Sequence, residues 1–317
     1  MALEWVQQYI HLFGGDPGRV TIMGESAGGS SILHQITAYG GHKGPAPFQQ
    51  AIPQSPGWSP ITSNLQQETN FQTFLALANA TSLEEARQLP SQALIIANIK
   101  QVGNSSYGGY TFGPVVDGSF APALPGQLLA RGQFDQNVKV MVGHNADEGL
   151  LFTSPFVTDQ ATYAAALQST FPDASPSIIN YIDSVLYPPD YSGAYGYTDI
   201  VQRTALTIAE YVFTCNTFYL DLALNNQTYA YQFSIPPALH GGDVPYTFYN
   251  DGGTVPANLT TLSQGLLSIP VALALQDWIV SFVRDGVPSS PDVQGLCSAA
   301  LSRFEMRWAF CPLKALR

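Results

Sequence analysis

The sequence predicts an α/β fold, a mainly parallel sheet flanked by helices, and three observations predict it. Short apolar or β-branched runs end in glycine- or proline-marked turns, at residues 20–23, 51–54, 138–142 and 228–234. Long stretches of helical spacing separate these runs, which favours parallel strands joined by crossover helices. Finally, 45% of the 317 residues are hydrophobic and 11% charged, a core-forming composition with no mark of disorder.

Each element follows from local pattern. Residues 2–13 put Leu3, Val6, Tyr9, Ile10 and Phe13 on one helical stripe. Gly14 to Gly18 break that helix. Val20 to Met23 reads as a buried strand, followed by a tight turn over 24–28 and a helix from about Gly28 to Tyr39. Ala51 to Gln54 is a second short strand, and residues 64–100 are mostly helical. Gly103 to Gly109 is a loop, Val138 to Val142 a strand, and Gly143 to Gly149 the loop at its end. Residues 159–224 are helical apart from a Pro/Tyr/Gly-rich interruption at 188–197, and Thr228 to Ser234 is a strand leading to His240. No repeat or linker divides the chain, so residues 1–317 read as a single domain.

Bulk properties exclude some partners. The net charge of −11 repels phosphate backbones, so nucleic acid is not expected. No stretch reads as a membrane span: Leu266 to Val283 contains Gln276 and Asp277, and Pro270 suits a helix start. The opening Met-Ala-Leu-Glu-Trp-Val reads as the middle of a helix rather than a signal peptide. Cys215, Cys297 and Cys311 allow one disulfide plus a free thiol, or none. Sequons at Asn79, Asn104, Asn226 and Asn258 exceed the roughly two that chance gives and favour a secreted parent protein.

The chemistry centres on Gly24-Glu25-Ser26-Ala27-Gly28-Gly29, lying between a strand and a helix. A serine on such a sharp turn can be a nucleophile if a histidine takes its proton and a carboxylate holds the imidazole. Gly24 and Gly28 meet the close approach of strand and helix, and Gly29 adds room. Ala27 offers a backbone N–H for a developing oxyanion at the helix N-terminus. Among the five histidines, His11 and His34 sit on helices beside the turn, His42 lies in a Gly/Lys/Pro loop, and His144 follows a strand. Only His240 follows both the serine and an acid at the end of an intervening strand, the order that α/β serine hydrolases use. Asp147 and Glu148 both lie at that strand's carboxyl end, and the residues alone do not choose between them.

Taken together the motifs resemble the type-B carboxylesterase/lipase family, which includes cholinesterases and fungal secreted lipases. The matching runs are Phe13 to Pro17 with Val20 to Ile22, Gly24 to Gly28, Gln54-Ser55, Gly113 to Gly118, Asn145 to Gly149 and His240 to Tyr246. The resemblance implies the α/β-hydrolase fold and selects Glu148 as triad acid and His240 as triad base. It implies a carboxylic ester hydrolase that forms an acyl-enzyme on Ser26, uses no cofactor or metal, and acts on a small-molecule or lipid ester.

Two departures qualify this. The family begins with roughly two hundred further residues, including the first strands of the sheet and a glycine-rich oxyanion loop. The chain is therefore expected to be a partial domain lacking those strands, with Ala27 as its oxyanion donor. Loss of one such donor costs about 10²–10³ in rate. The tail from about Pro288 to Arg317 also matches no usual family ending. The alternative expectation is a catalytically impaired fragment, or a non-catalytic interaction module of the same fold.

Overall fold

A computed structural model describes residues 1–57, 64–105, 107–250 and 267–290. Helix α1 (Ala2–Tyr9) leads through a 3-10 turn to β1 (Thr21–Glu25), α2 (Ala27–Ile36) and β2 (Gln50–Gln54). Helices α3 (Asn64–Ala78), α4 (Leu83–Gln88), α5 (Ser91–Gly103) and α6 (Pro125–Ala130) precede β3 (Lys139–Asn145). Helices α7 (Gln160–Thr170), α8 (Pro176–Tyr181), α9 (Ile200–Ala209) and α10 (Cys215–Ala223) lead to β4 (Tyr229–Phe233), α11 (Val244–Thr247) and α12 (Ile269–Asp285).

The sheet runs β1-β2-β3-β4 and all three pairings are parallel. Side chains alternate between its two covered faces, as the period of two requires. Ala51, Val140 and Val142 join Ile32, Leu33 and Ile36 of α2 and Leu220 of α10 on one face. Ile52 and Met141 join Ala272, Leu275, Trp278 and Phe282 of α12 on the other. The segment around Pro270 is thus a packed helix, and among the described residues no helix is long and apolar enough to cross a membrane.

Two expectations need correction. β1 is not buried: it is the edge strand of this sheet, so Ile22 packs against the α2 side while Met23 is 39% exposed. The N-terminal stripe also ends early. Leu3, Val6, Tyr9 and Ile10 are half-buried, but the helix tightens to 3-10 geometry over Ile10–Phe13 and turns Phe13 outward. Cys215 is disulfide-bonded. Cys297, Cys311, Asn258 and the tail beyond Ser290 lie outside the described residues.

The β1–α2 junction is built on close approach. A Cβ on Gly24 would stand 2.7 Å from the Gly28 carbonyl carbon, and one on Gly29 would stand 2.8 Å from Gln54 O and 3.0 Å from Pro56 Cα. A Cβ on Gly28 would meet nothing within 4 Å. The crowded helical glycine is therefore Gly29, whose position in α2 turns it towards the end of β2.

Helices α9 and α10 are joined by a π-turn, Glu210–Thr214, into one continuous helical run. At its start Glu210 accepts a hydrogen bond from the Tyr187 hydroxyl (2.6 Å), and burial lifts the Glu210 carboxyl from 4.5 to about 7.

Two measurements test these features. G29A should cost about 1–3 kcal/mol in denaturant unfolding, whereas G28A should be neutral or stabilise by up to about 1 kcal/mol. Folded Glu210 binds its proton more tightly than the unfolded chain does, so its contribution falls as pH rises through 4.5 to 7. The native chain should therefore lose stability relative to E210Q between about pH 4.5 and pH 7. Parallel pH curves for the two proteins would refute the assignment.

Candidate active site

The sheet carries its functional groups at the carboxyl ends of β1, β3 and β4, as parallel α/β sheets do. Ser26 caps α2 with φ 58° and ψ −118°. An L-residue holds such a conformation only where its surroundings impose it. Its N–H donates to Gln54 O (3.0 Å), and its carbonyl accepts from Ser30 N–H (2.9 Å) and Gly57 N–H (3.3 Å). Both sides of the strained peptide are thereby fastened. Ser26 Oγ lies 2.8 Å from Nε2 of His240, on the loop after β4.

The other imidazole nitrogen, Nδ1, lies 2.5 Å from Glu148 Oε2. Glu148 opens a 3-10 turn (148–152) after β3 and has no exposed surface. Its second oxygen accepts from Ser55 Oγ (2.6 Å) and from the Asn145 backbone N–H (2.5 Å). Asp147 is exposed, and its backbone N–H donates to Ala238 O (2.9 Å). The structure thus brings Glu148, not Asp147, to His240. His144 stays inside β3 opposite Gln232, where burial lowers its pKa.

Several residues around this line were quoted in the sequence only as parts of matching runs, with no role assigned. Asn145 Nδ2 lies 3.1 Å from Ser55 Oγ, 3.4 Å from Glu148 Oε1 and 3.3 Å from Asp243 Oδ1. Asp243 is fully buried and accepts from the Tyr231 hydroxyl (2.7 Å) and Gln54 Nε2 (3.2 Å). The signals for Ser55 and Gln54 are the short matching run they form and their place at the carboxyl end of a strand. Glu25, beside the serine, brings Oε1 within 3.3 Å of His240 Nε2, yet that oxygen has no hydrogen-bond partner. Nε2 is thus closer to Ser26 Oγ than to Glu25 Oε1.

The charges follow from this packing. For Glu148, burial acts to raise the pKa, but the hydrogen bond and charge of His240, with Ser55 and Asn145, bring it below the ordinary value. For His240, burial acts to lower the pKa, but Glu148 first, then Glu25 and Asp243, carry it above 6.5. Burial lifts Glu25 from 4.5 to about 7 against the pull of His240. Chemically, the arrangement can take a proton from Ser26 Oγ onto Nε2 while a buried carboxylate fixes the tautomer. Ala27 is the first residue of α2, so its N–H has no partner within the helix.

Comparison with known proteins agrees with this architecture. The chain is 42% identical over 296 residues to carboxylesterase patB of Penicillium expansum, covering 93% of this chain and 50% of that protein. It is 31% identical over 301 residues to a fumonisin B1 esterase of Sphingopyxis macrogoltabida, covering 90% and 52%. A secreted lipase of Arthroderma benhamiae is 29% identical over 293 residues, covering 90% and 53%. The chain therefore spans about half the length of the curated relatives it matches. Among solved structures, EstA of Aspergillus niger superposes with a TM-score of 0.76 at 24% identity, over 91% of this chain and 59% of that one. At that identity the likeness speaks for the α/β-hydrolase fold. A family model, the carboxylesterase family, matches residues 1–309, and the chain belongs to that family.

Proposed function

We propose that the chain is a carboxylic ester hydrolase whose nucleophile is Ser26, with His240 as general base and Glu148 as the acid that orients it. One observation carries this reading: in a member of the carboxylesterase family, Ser26 Oγ, His240 and Glu148 form a continuous line with contacts of 2.8 and 2.5 Å. Glu148 keeps the proton on Nδ1 and leaves the Nε2 lone pair facing Ser26. As Oγ bonds to the ester carbonyl carbon, its proton passes to Nε2. The carbonyl oxygen becomes an anion, stabilised by the Ala27 N–H and the N-terminal end of α2. Collapse breaks the ester C–O bond, the alcohol leaves with the Nε2 proton, and Ser26 carries the acyl group. Water, deprotonated by Nε2, then releases the acid and restores the serine.

The substrate is a small-molecule or lipid ester, in keeping with relatives named as a carboxylesterase, an esterase and lipases. The match over residues 1–309 supports reading the chain as a single, partial α/β-hydrolase domain. A secreted parent is supported by the relatives named secreted lipases and by the exposure of Asn79, Asn104 and Asn226.

A fluorophosphonate should label Ser26 covalently, and S26A should not be labelled. E148Q should lower kcat by about 10²–10⁴ while leaving the fold intact. The base must be neutral, so kcat/KM should fall on the acid side with a midpoint above 6.5. A cooperatively melting chain that is neither labelled nor hydrolyses p-nitrophenyl acetate would instead be a non-catalytic module. Rates on acetate, octanoate and feruloyl esters would then define the acyl preference.

A further inference from the structure

The general base is held by more than its two hydrogen bonds. The Phe213 ring centre lies 4.4 Å from that of His240, tilted by 37°. Phe152, on the turn that Glu148 opens, lies 5.1 Å from His240 edge-on, and the two phenyl rings are 5.5 Å apart. The three rings form a triangle. Phe213 is 2% exposed, so it offers no open surface to a ligand and works by contact alone.

Phe213 reaches this place through an unusual backbone. It lies inside the π-turn between α9 and α10, where Cys215 N–H bonds back to Glu210 O. The buried Asn216 amide bridges the turn to a neighbouring segment: Nδ2 donates to Val212 O (2.5 Å) and also to Pro56 O (2.9 Å). The turn is thus tied to the segment following β2. Gly57 completes the seat, since a Cβ there would stand 2.1 Å from Phe213 Cε1. The Gly57 N–H holds the Ser26 carbonyl. The ring is therefore wedged between the backbone that supports the serine and the imidazole that serves it.

We infer that Phe213, delivered by the π-turn, is a positioning residue that keeps the His240 imidazole in line between Ser26 Oγ and Glu148. The inference rests on the triad reading for its kinetic consequence only. The imidazole has somewhere else to go: Glu25 Oε1, without a hydrogen-bond partner, is 3.3 Å from the same Nε2 that faces Ser26. Without the ring, a swing of the imidazole off the line between Ser26 Oγ and Glu148 leaves the serine proton without its acceptor. A misplacement of about 1 Å costs on the order of 100-fold in rate.

The test uses the 317-residue chain with F213L and the longer, unbranched F213M. The native chain should show a far-downfield proton resonance from Nδ1–H facing Glu148. In both variants that resonance should broaden or vanish while the thermal melt stays cooperative. With p-nitrophenyl acetate, kcat should fall about 10- to 100-fold and KM should stay within about twofold. A merely structural ring would lower the melting temperature and leave the resonance and kcat unchanged. No resonance in the native chain, or an unchanged resonance with unchanged kcat in a folded variant, overturns the proposal. If the native chain hydrolyses no ester, the resonance alone decides, so failure of the hydrolase reading stays separate from failure of this one.

Discussion

A carboxylate with no solvent-accessible surface has to find all its stabilisation inside the protein, and most of this site can be traced to meeting that demand for Glu148. Its two oxygens are met by the imidazole of His240, the Ser55 hydroxyl and the Asn145 backbone N–H. Those donors come from the carboxyl ends of three different strands, so the carboxylate can be buried only if β2, β3 and the loop after β4 end at the same level. The parallel sheet supplies that common level. Around it Asn145, Asp243, Tyr231 and Gln54 form a second buried polar layer, in which the Tyr231 hydroxyl and the Gln54 amide both donate to Asp243. A cluster with this many charges in low dielectric holds its geometry only while its members stay paired.

The serine sits under a different constraint. Its backbone is strained, and the strain is balanced by contacts that leave no room for side chains: Gly24 against Gly28, and Gly29 against the end of β2. The same segment, Gln54 to Gly57, takes part in each arrangement. It accepts the Ser26 N–H, donates to the Ser26 carbonyl, donates to Glu148 and seats Phe213. Rather than a passive connection, the exit of β2 is the place where Ser26, Glu148 and the ring beside His240 are brought into one frame.

Much of this was legible in the sequence because its signals are local. Four strands, the turn at Ser26 and the positions of His240 and the acidic loop all follow from short patterns and their order. The choice between Asp147 and Glu148 was not legible from the residues themselves. Both are loop carboxylates one position apart, and only the 3-10 turn, with Asp147 bonded through its backbone to Ala238, sends Glu148 inwards. Exchanging the expected roles of Gly28 and Gly29 has a similar cause, since the crowding depends on Gln54 and Pro56, which are distant in the chain. Met23 was misread because burial of an apolar strand residue depends on whether a neighbour covers it. The π-turn has no periodic signature at all, so the placement of Phe213 could be known only from coordinates.

The wide sequence separation within the site has a bearing on how the protein comes into being. Ser26 and His240 are 214 residues apart, and Glu148 and His240 are 92 apart. Parallel pairings of this reach close late, after the entropy of long loops has been overcome. During synthesis Ser26 leaves the ribosome well before His240, so the contact between them can form only once most of the chain has emerged. The line from Ser26 through His240 to Glu148 is then among the last contacts to close on the folding route.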